Sequence, residues 1–258
     1  MFLFQDDKLL LETRGALIIR KLCALLDAQS IYVSFASILD DRVDLDFASV
    51  MVQTMNLILL TAPELQSLRK CLKQSMNPSG NASNSETFVT LFRSWCHNPV
   101  ATFSLCLLAQ AYDLSASLIM RFAEIDISVG FLMQIDKLVQ LLESPIFIHL
   151  RLELLEVSSM HHKDLLKSLY GLLMLLPQSQ AYKTLSDRLS TVSSLQVHNS
   201  RDISSSNIAQ EHLPKSPQQL HLYDELLTRF GNVQDRHSSF HAQLLSRKNS
   251  SMTGGSGY

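Results

Sequence analysis

Arg93-Ser94-Trp95-Cys96-His97-Asn98-Pro99-Val100 holds the chain's only tryptophan and one of its four cysteines, inside a run without formal charge from Ser94 to Tyr112 when His97 is neutral. Read as one hydrophobic segment, this run suggests a membrane span. Read by its local chemistry, it is a joint between two helices. The Asn98 side chain is suited to accept a hydrogen bond from an orphan amide of a first helical turn, and Pro99 then stands where its missing N–H costs nothing. One helix therefore ends near His97 and another begins at Asn98. Each piece is too short to cross a hydrocarbon core of about 30 Å. Trp95 and Cys96 are expected to fill the core at this hinge, with Asn98 and Pro99 setting the turn.

Working outward, 258 residues at 46% hydrophobic content permit a substantial core. A formal charge of −2 excludes the net basic field that drives nucleic-acid binding. Cys23, Cys71, Cys96 and Cys106 lie in apolar helical patterns without CxxC pairing, which fits a reducing compartment. Met1-Phe2-Leu3-Phe4 is followed at once by Gln5-Asp6-Asp7, with no basic n-region or long apolar h-region, so a cytosolic protein is expected.

Apolar residues recur at helical spacing along most of the chain. Leu11, Ile18, Leu22, Leu25 and Leu26 predict one face of a helix over Lys8 to Leu26. Ser30 to Leu39 and Leu45 to Leu60 follow. Thr61-Ala62-Pro63-Glu64 has the form of a capping box, launching a helix to about Gln74. Ser75 to Ser85 reads as a solvated loop, and Ser83 with Glu86 as the next helix start. Helices are expected from Leu114 to Glu124 and from Ser128 to Leu142. Ser144-Pro145 repeats the cap-and-proline device. Lys163 to Leu176 is apolar nearly all round, so it is expected to be covered on several sides, and Ala181 to Leu189 closes the series. The pattern predicts about ten helices without strand-like alternation, hence an all-α fold. Helix pairs recurring at roughly 35 to 45 residues match a HEAT or armadillo-like helical-hairpin solenoid. A compact helical bundle is the competing architecture. The expected division is a helical scaffold domain over 1–189, a disordered linker over 190–217, a separate C-terminal amphipathic helix over 218–248 and a disordered tail over 249–258.

Chemistry-bearing residues form no convincing site. Cys96 and His97 are adjacent, so on a helix their side chains diverge by about 100° and cannot act as nucleophile and base. A metal site from Cys96, His97, Cys106 and His161 or His162 lacks paired ligand spacing. His161-His162-Lys163 reads as a solvated connection. Glu153 with Glu156 and Asp40 with Asp41 read as solvated carboxylate pairs, and no phosphate-cradling glycine loop is present. No catalytic residue, cofactor or metal is expected. The final helix differs: Tyr223, Leu226, Leu227, Phe230 and Val233 form a stripe that either folds back on the solenoid or serves self-association or a partner's groove.

Taken together, several stretches resemble the C-terminal region of the vacuolar scaffold ArPIKfyve family. They are Glu12-Thr13-Arg14-Gly15 with Leu17-Ile18-Ile19-Arg20, Phe47-Ala48-Ser49 with Met51-Val52-Gln53-Thr54, the Arg93 to Val100 stretch, Asp136-Lys137-Leu138-Val139-Gln140-Leu141, and Tyr170 to Ser179. Tyr223, Glu225-Leu226-Leu227, Phe230 and Val233-Gln234 resemble that family's last helix. The resemblance implies a non-enzymatic HEAT-like scaffold of the complex controlling phosphatidylinositol 3,5-bisphosphate. It implies binding to a Sac-type phosphoinositide phosphatase, self-association, and association with the PIKfyve/Fab-type lipid kinase. It also implies a peripheral location on the cytosolic face of endosomal or vacuolar membranes. The family carries a long helical array ahead of this region, whereas these motifs begin almost at Met1, so kinase docking is the least supported of these expectations.

Overall fold

The computed structural model describes residues 2–40, 44–76, 82–202 and 217–253. Among them, ordered structure is entirely helical. The helices are α1 (Phe2–Asp6), α2 (Lys8–Leu10), α3 (Ala16–Leu25), α4 (Ala28–Asp40), α5 (Leu45–Thr61), α6 (Gln66–Lys73) and α7 (Ala82–Trp95). They continue with α8 (Pro99–Leu108), α9 (Tyr112–Arg121), α10 (Val129–Leu142), α11 (Ile148–Leu155), α12 (His162–Leu175), α13 (Gln180–Asp202) and α14 (Pro217–Thr253). The main contacts of α3 to α13 join helices one to three places apart in chain order, which is the packing of a helical-hairpin solenoid. α14 is the exception, because it runs back onto α7 and α9.

The joint at Asn98 forms as the sequence predicts. Asn98 has extended backbone angles and its side-chain oxygen accepts from the Ala101 amide at 3.0 Å, with Pro99 in the first turn. α8 then lies at the centre of the stack, with every residue from Val100 to Leu108 buried. The uncharged run is thus core. No single described helix is long and apolar enough to cross a membrane.

Two other joints share a device that the sequence does not advertise. After α5, a 3-10 turn from Pro63 to Leu65 leads into α6, and Arg69 donates through Nη1 to the carbonyls of Leu59 and Ala62 at 2.8 and 2.7 Å. After α10, a 3-10 turn from Pro145 to Phe147 leads into α11, and Arg151 Nη1 donates to the carbonyls of Leu142 and Ser144. In both, an arginine six places after the proline donates to a carbonyl of the ended helix's last turn, Leu59 or Leu142, and to a turn carbonyl, Ala62 or Ser144, that also accepts a backbone amide of the 3-10 turn.

Several local expectations are corrected. The buried line at the N-terminus is Leu11, Gly15, Ile19 and Cys23, while Leu25 is 80% exposed. The cause is a π-helical segment, Leu11–Gly15, whose wider turn shifts the register between α2 and α3. The capping box at Thr61 does not form: Thr61 Oγ1 donates to the Leu57 carbonyl and Glu64 pairs with Arg20 at 2.9 Å. Ser144 likewise makes no side-chain cap, and its hydroxyl is buried without a partner. α7 begins at Ala82, ahead of Ser83, and residues 77–81 of the expected loop lie outside the described residues. α12 is not covered all round, since Met174 is 87% exposed, and His162 is buried rather than solvated. α13 does not stop at Leu189 but continues to Asp202, with Val192 still in the core. It therefore occupies the first part of the segment read as a linker, while residues 203–216 lie outside the described residues. α14 likewise runs past residue 249 to Thr253.

Candidate interaction surface

The hinge and the final helix, separate features in the sequence, meet in the structure. Leu226, Phe230 and Val233 are buried, and Tyr223 and Leu227 pack half-buried against the core. Phe230 stacks on Phe122 of the turn after α9, and the Tyr223 hydroxyl donates to Met76 Sδ at 3.4 Å. All five residues of the expected stripe are thus engaged with this chain's own solenoid.

Polar contacts fix the register of that docking. Gln234 Nε2 donates to the Cys96 carbonyl at 2.6 Å, satisfying a backbone group just past the end of α7. His97 Nδ1 lies 3.1 Å from His237 Nε2. Arg93 pairs with Glu225 at 3.0 Å, and Arg229 with Asp40. Arg93 and His97 therefore face α14 rather than a free surface. Behind them, Trp95 is fully buried and donates from Nε1 to Asn56 Oδ1 at 3.2 Å, while Asn98 Nδ2 donates to Gln134 at 2.9 Å. The hinge ties α5, α7, α8 and α10 together, and α14 closes over it.

Burial also decides the chemistry of these groups. Burial pushes the Cys96 thiol far above its usual range, and the same cause raises Cys106, so neither sulfur is held as a thiolate. Cys96 Sγ donates to the Phe92 carbonyl, away from any base. His97 is pushed down to about 4, chiefly by burial and then by the neighbouring His237. His237 is also pushed down to about 4, by burial and then by His241. Both rings are neutral near pH 7. Among the described residues, no three metal-ligating side chains converge, so Cys96, His97, Cys106, His161 and His162 do not assemble. Tyr112 takes His161 as a ring neighbour instead.

α14 has 37 residues, about 56 Å at 1.5 Å per residue, and only its middle is seated. Leu226, Phe230, Val233, His237, Phe240 and Leu244 follow one another at alternating steps of four and three, the spacing of a coiled-coil seam. The first three are buried in the solenoid; beyond Val233 no side chain of α14 up to residue 246 is buried, and Leu245 is 63% exposed. The stripe read from the sequence ends at Val233. The heptad spacing was the signal that carries the seam further.

Comparison with known proteins was made on this background. A family model described as Vacuolar protein 14 C-terminal Fig4p binding matches residues 8–192. A protein of Arabidopsis thaliana named Protein VAC14 homolog is 55% identical over 190 residues, covering 73% of this chain and 25% of the relative. One of the same name from Schizosaccharomyces pombe is 45% identical over 237 residues, 92% of this chain and 28% of the relative. Vacuole morphology and inheritance protein 14 of Saccharomyces cerevisiae is 38% identical over 190 residues, 74% and 21% respectively. The chain spans roughly a quarter of the length of these curated relatives. No solved structure matches it.

Proposed function

The chain belongs to the Vacuolar protein 14 family, and from that premise we propose that it is a non-catalytic scaffold which holds a Sac-type phosphoinositide phosphatase, the Fig4p of the family description. The observation that carries this reading is coincidence of extent. The phosphatase-binding family model ends at residue 192, and among the described residues Val192 is the last buried one before α14. The matched residues thus take in the helices from α2 to α13 as far as Val192, and Leu226, Phe230 and Val233 of α14 add to the same core.

A scaffold needs buried joints, and the hinge at Trp95 to Pro99 supports the reading with one. Cys23, Cys96 and Cys106 are buried and Cys71 half-buried, and burial raises all four thiols, which fits a role without a nucleophile. The proposed place of action is peripheral, on the cytosolic face of endosomal or vacuolar membranes, in the complex that makes and removes phosphatidylinositol 3,5-bisphosphate. The lipid kinase is proposed as a further member of that complex. Self-association is proposed through the unburied half of the α14 seam, because Leu226, Phe230 and Val233 are already occupied within the chain.

Coexpression with the phosphatase is the test. A stable complex on size exclusion, containing both chains, is the expected result. Failure of the two to copurify while the chain itself remains folded overturns the reading.

A further inference from the structure

A groove of about 340 Å³ lies between the two proline joints, lined by Pro63, Gln66, Arg69, Lys70, Lys73 and Pro145 among others, and among the described residues no carboxylate lines it. Three cations share one small concavity in a chain whose net charge is −2. Two of them have structural duties. Arg69 spends Nη1 on the carbonyls that end α5, and Lys73 Nζ donates to the Ile146 carbonyl at 3.1 Å, bridging the two joints. Lys70 is exposed and has no such duty. The nearest acid in sequence, Glu64, is drawn away by Arg20.

From this geometry we infer that the groove between α6 and the start of α11 is an anion site that takes a phosphate monoester. A monoester carries up to two charges and three acceptor oxygens, which suits one guanidinium edge and two ammonium groups better than a single carboxylate does. The prolines restrict the backbone of both joints, and Arg69 and Lys73 are held by backbone carbonyls before any ligand arrives. Neighbouring groups register the uncompensated field. Lys73 is lowered by burial and then by Arg69, and His149 is pushed down to about 4 by burial and then by Lys73. An anion in the groove relieves repulsion that the fold otherwise carries.

The test uses the whole chain, with Lys70→Gln and Lys70→Glu as variants because this side chain supports no backbone group. Amide shifts of Gln66 and Lys70 are followed against inorganic phosphate, glucose 6-phosphate and chloride at matched ionic strength. Flotation with phosphatidylcholine vesicles, with and without phosphatidic acid, forms the second arm. Saturable binding of a monoester, weakened about tenfold or more by Lys70→Glu at unchanged melting temperature, is expected. Binding of the soluble esters identifies a free ligand, and binding only to phosphatidic acid vesicles identifies a lipid headgroup. A response that chloride reproduces, one that Lys70→Glu leaves intact, or no response to any probe overturns the site. So does tighter binding of a polyglutamate peptide, which would assign the groove to an acidic protein.

Discussion

Gln234 and Cys96, 138 residues apart, are joined by a 2.6 Å hydrogen bond from the side-chain amide of one to the backbone carbonyl of the other. This contact makes the end of α7 the seat of α14. α14 adds Leu226, Phe230 and Val233 to the core of the solenoid, and a carbonyl at the central hinge finds its partner there as well. Replacing Gln234 by Ala leaves that carbonyl without its donor and is expected to cost about 1–3 kcal/mol of docking stability. Phe230→Ala removes a fully buried ring stacked on Phe122 and is expected to cost about 3–5 kcal/mol. Hydrogen exchange is the measurement: protection in α14 should fall in both variants while α5 and α8 keep theirs. Equal loss across all helices contradicts docking as a separable step.

Docking should also depend on pH. His97 and His237 sit 3.1 Å apart and are both pushed down to about 4, from an ordinary value of 6.5. The folded chain resists taking protons that the unfolded chain accepts, so stability is whole above pH 6.5 and falls as pH drops from there towards 4. Arg229 and Arg236 disfavour protonation of His97 further, while Asp40 opposes them; Asp46 opposes the shift at His237. Denaturation midpoints across this range should slope downward in acid, and His237→Gln should flatten the slope. An unchanged slope removes the pair from the pH response.

How much of this was legible follows from the range of each interaction. Asn98 and Pro99 announce their joint because cap and proline act within a single turn. The apolar faces of α5 and α10 are legible because 3.6-residue periodicity is local too. The register of α3 was not legible: the π turn at Leu11–Gly15 leaves no composition mark. Nothing in the sequence marks the role of Arg69 and Arg151, since it depends on carbonyls seven to ten places back. The stripe on α14 was visible, but whether it met this chain or another was a long-range matter, and His97 and Gln234 decide it.

The arginine joints give a prediction of their own. Arg69→Ala or Arg151→Ala removes a charged donor from two carbonyls, at about 1.5–3 kcal/mol each. For a chain of this size that lowers the melting temperature by roughly 3–12 °C. Lysine at either position should restore only part, because its flexible ammonium lacks the planar guanidinium that aims both hydrogens of Nη1 at the two carbonyls. Full rescue by lysine would argue that charge alone matters there.

Two glycines should respond in opposite directions. α9 and α12 pack closely through Ser115, Ser168 and Gly171, with the two serine hydroxyls 2.7 Å apart. A Cβ at Gly171 would meet Ile119 Cγ1 at 2.7 Å, so Gly171→Ala is expected to destabilise by about 1–3 kcal/mol despite the helix propensity of alanine. At Gly231, on α14, nothing lies within 4 Å, and Gly231→Ala should stabilise by about 0.5–1 kcal/mol. Urea denaturation of the two variants tests both signs.

The seam of α14 divides into a docked half and an outer half, and the proposed self-association belongs to the outer one. Leu226, Phe230 and Val233 serve the solenoid, whereas Phe240 and Leu244 continue the same heptad line outside its core. A helix end of this kind is marginal alone in water and gains most by pairing with its own copy in register. Phe240→Ser with Leu244→Ser should therefore lower the mass seen by light scattering while leaving the melting temperature of the solenoid nearly unchanged. Leu226→Ser should do the reverse, costing stability because it strikes the docked half. If the outer pair leaves the mass unaltered, self-association does not run through this seam and must be sought on the solenoid itself.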